Sequence, residues 1–208
     1  MSQVLLAGIC GVAAYFLGNI SPSTILAKKQ GIDIKSEGSG NAGTTNALRV
    51  MGKKAGAITC IIDILKGVVA VLLGVLIAGH TGGAVCGVMV YLGHVWPLLY
   101  KFKGGKGVAT AFGGILAANP LVAVIDLAIV AIVVFTTRRM SPGSIIGAAM
   151  FPILCLLLAP WYTVAALIIG IIIIVKHKDN IIRLKNGEEP IMSIFEKNDK
   201  SEDNSEEA

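Results

Sequence analysis

Seven apolar runs divide the chain, at residues 3–20, 55–78, 81–100, 107–118, 119–137, 142–159 and 161–176. A helix needs about 20 apolar residues to cross a hydrocarbon core. Most of the runs fit or nearly fit that length. The fourth is the shortest, and its length suits a tilted short helix or a re-entrant segment. The pattern predicts an all-α polytopic membrane protein with seven transmembrane helices. Composition agrees: 54% of residues are hydrophobic and only 15% are charged. A soluble domain carries about 25% charge, so a cytosolic globule, a disordered chain and a secreted disulfide scaffold are excluded.

Charge sets the expected orientation. Lys28, Lys29, Lys35, Arg49, Lys53 and Lys54 follow the first run, and Lys101, Lys103 and Lys106 follow the third. Arg138 and Arg139 follow the fifth, and the remaining basic residues, from Lys176 onward, lie at or beyond the end of the seventh. The exception is Lys66, which lies inside a run. Basic residues thus fall on alternate connections. The positive-inside rule puts these in the cytoplasm, with the N-terminus outside and the C-terminus cytoplasmic. The net charge of +5 is interleaved with apolar runs and is not gathered on a stripe, and aromatics are only 6%. A nucleic-acid partner is therefore not expected; membrane lipid is.

Residues 1–195 read as the membrane domain. Residues 196–208 hold six acids and two lysines and read as a disordered cytoplasmic tail. No basic n-region precedes the first run, so no cleaved signal peptide is expected. Cys10, Cys60, Cys86 and Cys155 all fall within apolar runs, without paired spacing. They imply neither a metal site nor a disulfide. No cofactor is expected.

Three polar stretches carry more chemistry than connectors need. In EGSGNAGTTNALR, from Glu37 to Arg49, Gly38, Gly40 and Gly43 let the backbone turn and expose N–H groups. Ser39, Asn41, Thr44, Thr45 and Asn46 add side-chain donors, and Arg49 follows one turn into the next predicted helix. This is either an anion cradle or a flexible connector with a helix cap. Gly38 to Gly43 fits GxGxxG, but no strand precedes it and no βαβ unit surrounds it. In GHVWPLLYKFKGGKGVAT, from Gly93 to Thr110, Lys101, Lys103 and Lys106 alternate with Gly104, Gly105 and Gly107. Glycines admit phosphate oxygens and lysines supply point charges; a basic loop on anionic lipid headgroups is the alternative. Tyr100 stands where a Walker A motif needs glycine, and Gly107 where it needs Ser or Thr. In KHKDNIIRLKNGE, from Lys176 to Glu188, His177, Asn180 and Arg183 lie on an amphipathic stretch. That is an interfacial helix, or one that also presents a titratable imidazole.

Within the runs, Asp63 and Lys66 are spaced to pair on one helix face. Asp126 has no evident partner. His94 either orients the second glycine loop or anchors it at the interface.

Taken together, the motifs at 38–49, 93–110 and 177–189 resemble those of the bacterial glycerol-3-phosphate acyltransferases that use acyl phosphate, the PlsY family. Nearly the whole chain is covered. Thr44 departs from the small residue, usually Ala, expected there. The resemblance implies a multi-pass enzyme of the bacterial plasma (inner) membrane with its site on the cytoplasmic face. It implies acyl transfer from acyl phosphate to the 1-position of sn-glycerol 3-phosphate, giving 1-acyl-sn-glycerol 3-phosphate (lysophosphatidate) and phosphate. That is the first acylation of phospholipid biosynthesis. It further implies coupling to an acyl-phosphate-forming enzyme that draws on acyl carrier protein. By match to the motifs, Ser39, Arg49, Lys106, His177 and Asn180 form the central set. Arg49 and Lys106 are expected to hold phosphate, and Ser39 and Asn180 to orient substrate. His177 is expected either to orient the acceptor or to take its proton. Gly38, Gly40, Asn41, Gly43, Thr45, Asn46, Lys103, Gly104, Gly105 and Gly107 are expected phosphate contacts, with Lys66, His94 and Arg183 in support. The alternatives are a transporter or flippase of a phosphorylated solute or lipid, and a non-enzymatic scaffold.

Overall fold

The structure is a computed structural model describing residues 2–192 and 195. The acidic tail at 196–208 lies outside the described residues. Among those described there is no strand. The helices are α1 (Gln3–Gly18), α2 (Pro22–Lys29), α3 (Thr44–Val95), α4 (Val108–Ala118), α5 (Pro120–Thr137), α6 (Met140–Leu158), α7 (Thr163–Lys176) and α8 (Lys178–Lys185).

The long α3 is not one rod. Its backbone leaves helical geometry at Gly52 (φ 83°), Ala78 and Gly79 (φ 61°). Positive φ is cheap for glycine alone, so the chain can reverse there. A Cβ on Gly56 would lie 2.8 Å from the Leu48 Cβ, and one on Gly74 2.9 Å from the Cys86 sulfur. Residues eight or more apart on a straight helix are at least about 12 Å apart. The chain therefore doubles back twice, into limbs 44–51, 53–77 and 80–95. The second reversal falls where the sequence pattern separates its second and third runs.

Small residues face inward and large ones outward. Leu76, Val164, Leu157 and Val4 are all at least 70% exposed, while Gly67 and Gly113 let α4 cross the second limb of α3 at backbone contact. Helix association in lipid relies on such close packing. This is an all-α membrane fold. Four helical stretches are long and apolar enough to cross: Gln3–Lys29, Thr44–Tyr100, Pro120–Thr137 and Met140–Leu158. A fifth is the pair Pro160–Lys176 and Lys178–Lys185, bent by 52°. At 11 residues α4 is about 16 Å long, roughly half of a hydrocarbon core. It packs against α3 and carries the second glycine loop at its N-terminus.

Candidate active site

A cavity of about 960 Å³ opens among α3, α4, α5, α6, α7 and α8. One end is polar, lined by Ser39, Asn41, Arg49, Lys106, His177 and Asn180. All five residues of the expected central set meet there. The other end is an apolar lobe reaching Ile115, Val130 and Phe151.

Asn46 shapes the first loop. Its amide nitrogen donates to the carbonyls of Ile34 (3.2 Å) and Glu37 (3.0 Å), and its oxygen accepts from the Ser39 N–H (2.9 Å). Those bonds occupy both ends of the amide, so Asn46 holds the loop. Gly38 and Gly40 adopt positive φ to make the turn. Gly38, Gly43, Thr44 and Thr45 line the cavity, whereas Gly40 is not part of its wall.

The second loop folds back on the end of α3. Gly104 and Gly105 donate to the carbonyls of Val95 and His94, each at 3.2 Å. Gly105 sits where a Cβ would meet the His94 ring and come within 2.8 Å of the Ala42 carbonyl. It thereby ties the second loop to the first. The Tyr91 hydroxyl donates to the Lys106 carbonyl at 3.2 Å, and Gly107 turns with φ 78° into α4. Lys103 is exposed and outside the cavity wall; Gly104, half-buried, and Gly105, buried, are also not part of that wall. Lys101 and Phe102 take left-handed backbone, which redirects the chain at the residues just before Lys103.

Beneath this loop lies a buried ionic cluster. Lys66 Nζ is 2.7 Å from Asp63 Oδ1 and 2.7 Å from His94 Nδ1. It also donates to the carbonyls of Gly18 and Ile20 at the end of α1. His94 Nδ1 also lies 3.4 Å from Asp63 Oδ1, so the three side chains form one closed cluster, with Nε2 of the imidazole facing Gly105. Asp63 and His94 line the cavity; Lys66 does not. It supports the site from behind.

The third stretch supplies the remaining wall. His177 breaks α7 from α8 and is 3% exposed. Its Nδ1 lies 2.8 Å from the Ile173 carbonyl, so Nδ1 carries the proton and Nε2 keeps a lone pair. Asn180 Oδ1 accepts from Lys106 Nζ. Asn180 Nδ2 donates to Glu189 Oε1 at 2.6 Å, as does the Ser141 hydroxyl, also at 2.6 Å. Arg183 Nε donates to Glu189 Oε2 at 2.8 Å, and Arg139 donates to the Glu189 carbonyl. Sequence reasoning missed Glu189 and Ser141. The acid at the end of the third stretch was visible; its partner, one serine inside an apolar run, was not.

Burial pushes the Lys106 ammonium down to about 8, against the pull of Glu189. It pushes the His177 imidazole down to about 4, with Lys106 adding to the effect. His177 is therefore neutral near pH 7. Burial opposes ionisation of Glu189, but hydrogen bonds from Ser141, Asn180 and Arg183 outweigh it and hold the carboxyl below its ordinary value. The result is a site with Lys106 and Arg49 on its wall, the Ser39 and Thr45 side chains of the first loop beside them, and a neutral imidazole lone pair. Such an array stabilises charge developing on phosphate and carbonyl oxygens.

Fold and site together define a helical integral membrane protein with a polar chamber joined to an apolar lobe. Comparison with known proteins is more specific. The profile of the glycerol-3-phosphate acyltransferase family matches residues 8–187. A glycerol-3-phosphate acyltransferase of Clostridioides difficile strain 630 is 44% identical over 189 residues, covering 87% of this chain and 93% of the relative. One of Finegoldia magna is 43% identical over 187 residues, covering 87% and 93%. The crystal structure of PlsY (YgiH), an integral membrane glycerol 3-phosphate acyltransferase, in its glycerol 3-phosphate form superposes with a TM-score of 0.87. It is 34% identical and covers 91% of this chain and 97% of that one. Its lysophosphatidic acid form gives a TM-score of 0.82, at 34% identity, over 89% and 94%. The chain belongs to the glycerol-3-phosphate acyltransferase family.

Proposed function

We propose that the protein transfers an acyl group from acyl phosphate to the 1-position of sn-glycerol 3-phosphate. The products are lysophosphatidate and inorganic phosphate. The observation that carries this reading is the two-ended cavity: its polar end gathers three anion-suited stretches, and its other end is apolar. Two phosphorylated substrates account for Arg49 and Lys106 beside glycine loops, and a fatty chain accounts for the lobe.

Acyl phosphate is already activated, so positioning and charge stabilisation suffice. The glycerol hydroxyl attacks the acyl carbon directly while the C–O bond to phosphate breaks. Arg49 and Lys106 hold phosphate oxygens and stabilise the negative charge that develops. Ser39 and Asn180 orient substrate by hydrogen bonds. The lone pair on His177 Nε2 accepts from the attacking hydroxyl and orients it. With its imidazole held near 4 it is a weak base, so the departing phosphate is the better final home for the proton. Asn41 and Thr45, whose side chains line the cavity, supply further phosphate contacts.

The enzyme works at the bacterial plasma membrane, with the polar end of the cavity toward the cytoplasm and the N-terminus outside. Counting the two long limbs of α3 separately and α4 as a short crossing gives seven crossings. Its donor comes from an enzyme that forms acyl phosphate from acyl carrier protein.

The test is product formation by purified protein in detergent. Labelled glycerol 3-phosphate is supplied with acyl phosphate, acyl-CoA or acyl carrier protein in parallel. Lysophosphatidate from acyl phosphate alone is expected. No product from any donor by folded protein would overturn the proposal and favour transport.

A further inference from the structure

On α5 the lining of the apolar lobe ends on a carboxylate, Asp126. On α6 the cavity wall runs from Met140 to Phe151, eleven residues or about 16 Å along the helix. Asp126 of α5 stands across from Gly147, one turn before that wall ends at Phe151. A Cβ on Gly147 would lie 3.5 and 3.6 Å from the two Asp126 oxygens. Asp126 Oδ1 is shut off from solvent and has no hydrogen-bond partner among the described residues. It takes no part in the chemistry described above. A charge in a membrane span is costly, and functional by default when it faces a cavity.

We propose that Asp126 sets the acyl-chain length limit of this enzyme, as the polar floor of the lobe that receives the donor's hydrocarbon tail. The proposal rests on the acyl-phosphate reading. A chain that stops short leaves room for water on the other carboxyl oxygen, Oδ2, which is not shut off. A chain that reaches Asp126 must strip that group of its water and offer no hydrogen bond in return. The terminal methylenes of a long chain thus lose the gain that apolar contact would give. Replacing the floor with hydrocarbon restores that gain, about fourfold per methylene accommodated.

The experiment measures kcat/KM of the full chain in detergent with palmitoyl phosphate and with lauroyl phosphate. Asp126→Leu and Asp126→Val are expected to raise the palmitoyl-to-lauroyl ratio by about fourfold or more. Asp126→Asn, which keeps a polar floor, stays close to the wild-type ratio. Val124→Leu, on the exposed face of the same helix, leaves the ratio unchanged. Wild-type ratios in both apolar variants would overturn the proposal, as would an equal shift in Val124→Leu. Loss of turnover with both donors in the apolar variants, with Asp126→Asn active, would also overturn it, because the polar group would then be a requirement. Failure of the wild-type chain to use either acyl phosphate would overturn the parent reading and this proposal with it. Wild-type turnover with an unshifted ratio overturns this proposal alone.

Discussion

Glu189→Gln is the substitution that exposes most of the site's logic. Glu189 is only 7% exposed, and its two oxygens accept from Ser141, Asn180 and Arg183. Glutamine has the same shape but one acceptor oxygen. Its NH2 must face either the Arg183 N–H or the Asn180 amide N–H, both donors, and of the three partners only the Ser141 hydroxyl can turn to accept. Breaking a buried ion pair costs about 3–5 kcal/mol. Arg183 is 33% exposed, and solvent screening lowers the loss to about 2 kcal/mol. A loss of that size lowers the unfolding midpoint by several degrees. The carboxylate also pulls the Lys106 ammonium upward, against burial. Without it, Lys106 titrates below about 8. Lys106 acts as a cation, so kcat/KM falls as pH rises through its pKa; in the variant that fall begins at lower pH. A third consequence follows from Glu189's own lowered value. Its stabilisation is complete above the ordinary carboxyl pKa and lost as pH falls through the folded one. The glutamine variant has no such loss. Thermal unfolding in detergent across acid and neutral pH, with kcat/KM profiles on the alkaline side, reads all three. A wild-type midpoint together with an unmoved alkaline limb would refute the role given to Glu189.

Three further substitutions test separate parts of the site. Lys106→Arg places a cation that does not deprotonate in the working range, so the alkaline limb near 8 should vanish while turnover falls; a limb that persists assigns it to another group. His177 is held neutral down to about 4. The kcat/KM profile should therefore show no fall near 6.5 that His177→Gln abolishes, and such a fall would refute the neutral assignment. Gly105→Ala puts a methyl against the His94 ring and 2.8 Å from the Ala42 carbonyl. Overpacking of this kind costs about 1–3 kcal/mol. Separation of the two loops should cut kcat/KM about tenfold or more, and wild-type kinetics would show that the loops need no tie.

Local chemistry made the three glycine-rich and basic stretches legible in the sequence. Glycine, lysine and arginine in short polar gaps stand out from apolar runs, and the five central residues share one cavity wall. Asn46 differs from expectation because an amide is ambiguous in sequence. Its bonds to Ile34, Glu37 and Ser39 depend on how the loop closes. Lys103 was expected as a further phosphate contact behind Lys106, but the left-handed backbone at Lys101 and Phe102 redirects the chain there and Lys103 lies exposed, outside the cavity wall. Glu189 needs Ser141 from another helix, and long-range pairing leaves no periodic trace. Asp126 was visible as an anomaly, yet its place in the lobe depends on α5 lying against Gly147 of α6. Likewise, the Asp63–Lys66 spacing announced a pair. It gave no hint that the ammonium also reaches the carbonyls of Gly18 and Ile20.

The central claim is that one cavity holds donor and acceptor together and the acyl group passes directly between them. Cys86 and Cys155 are buried, and Cys60, which lies on the cavity wall, is half-buried. The site is organised around Lys106, Asn180 and a neutral His177 instead of an activated thiol or hydroxyl. The direct measurement is initial velocity with acyl phosphate and glycerol 3-phosphate varied against each other. Intersecting reciprocal plots are predicted, with inorganic phosphate released only when acceptor is present. Parallel plots, with a burst of phosphate from acyl phosphate alone, would mark a covalent acyl-enzyme and contradict the account.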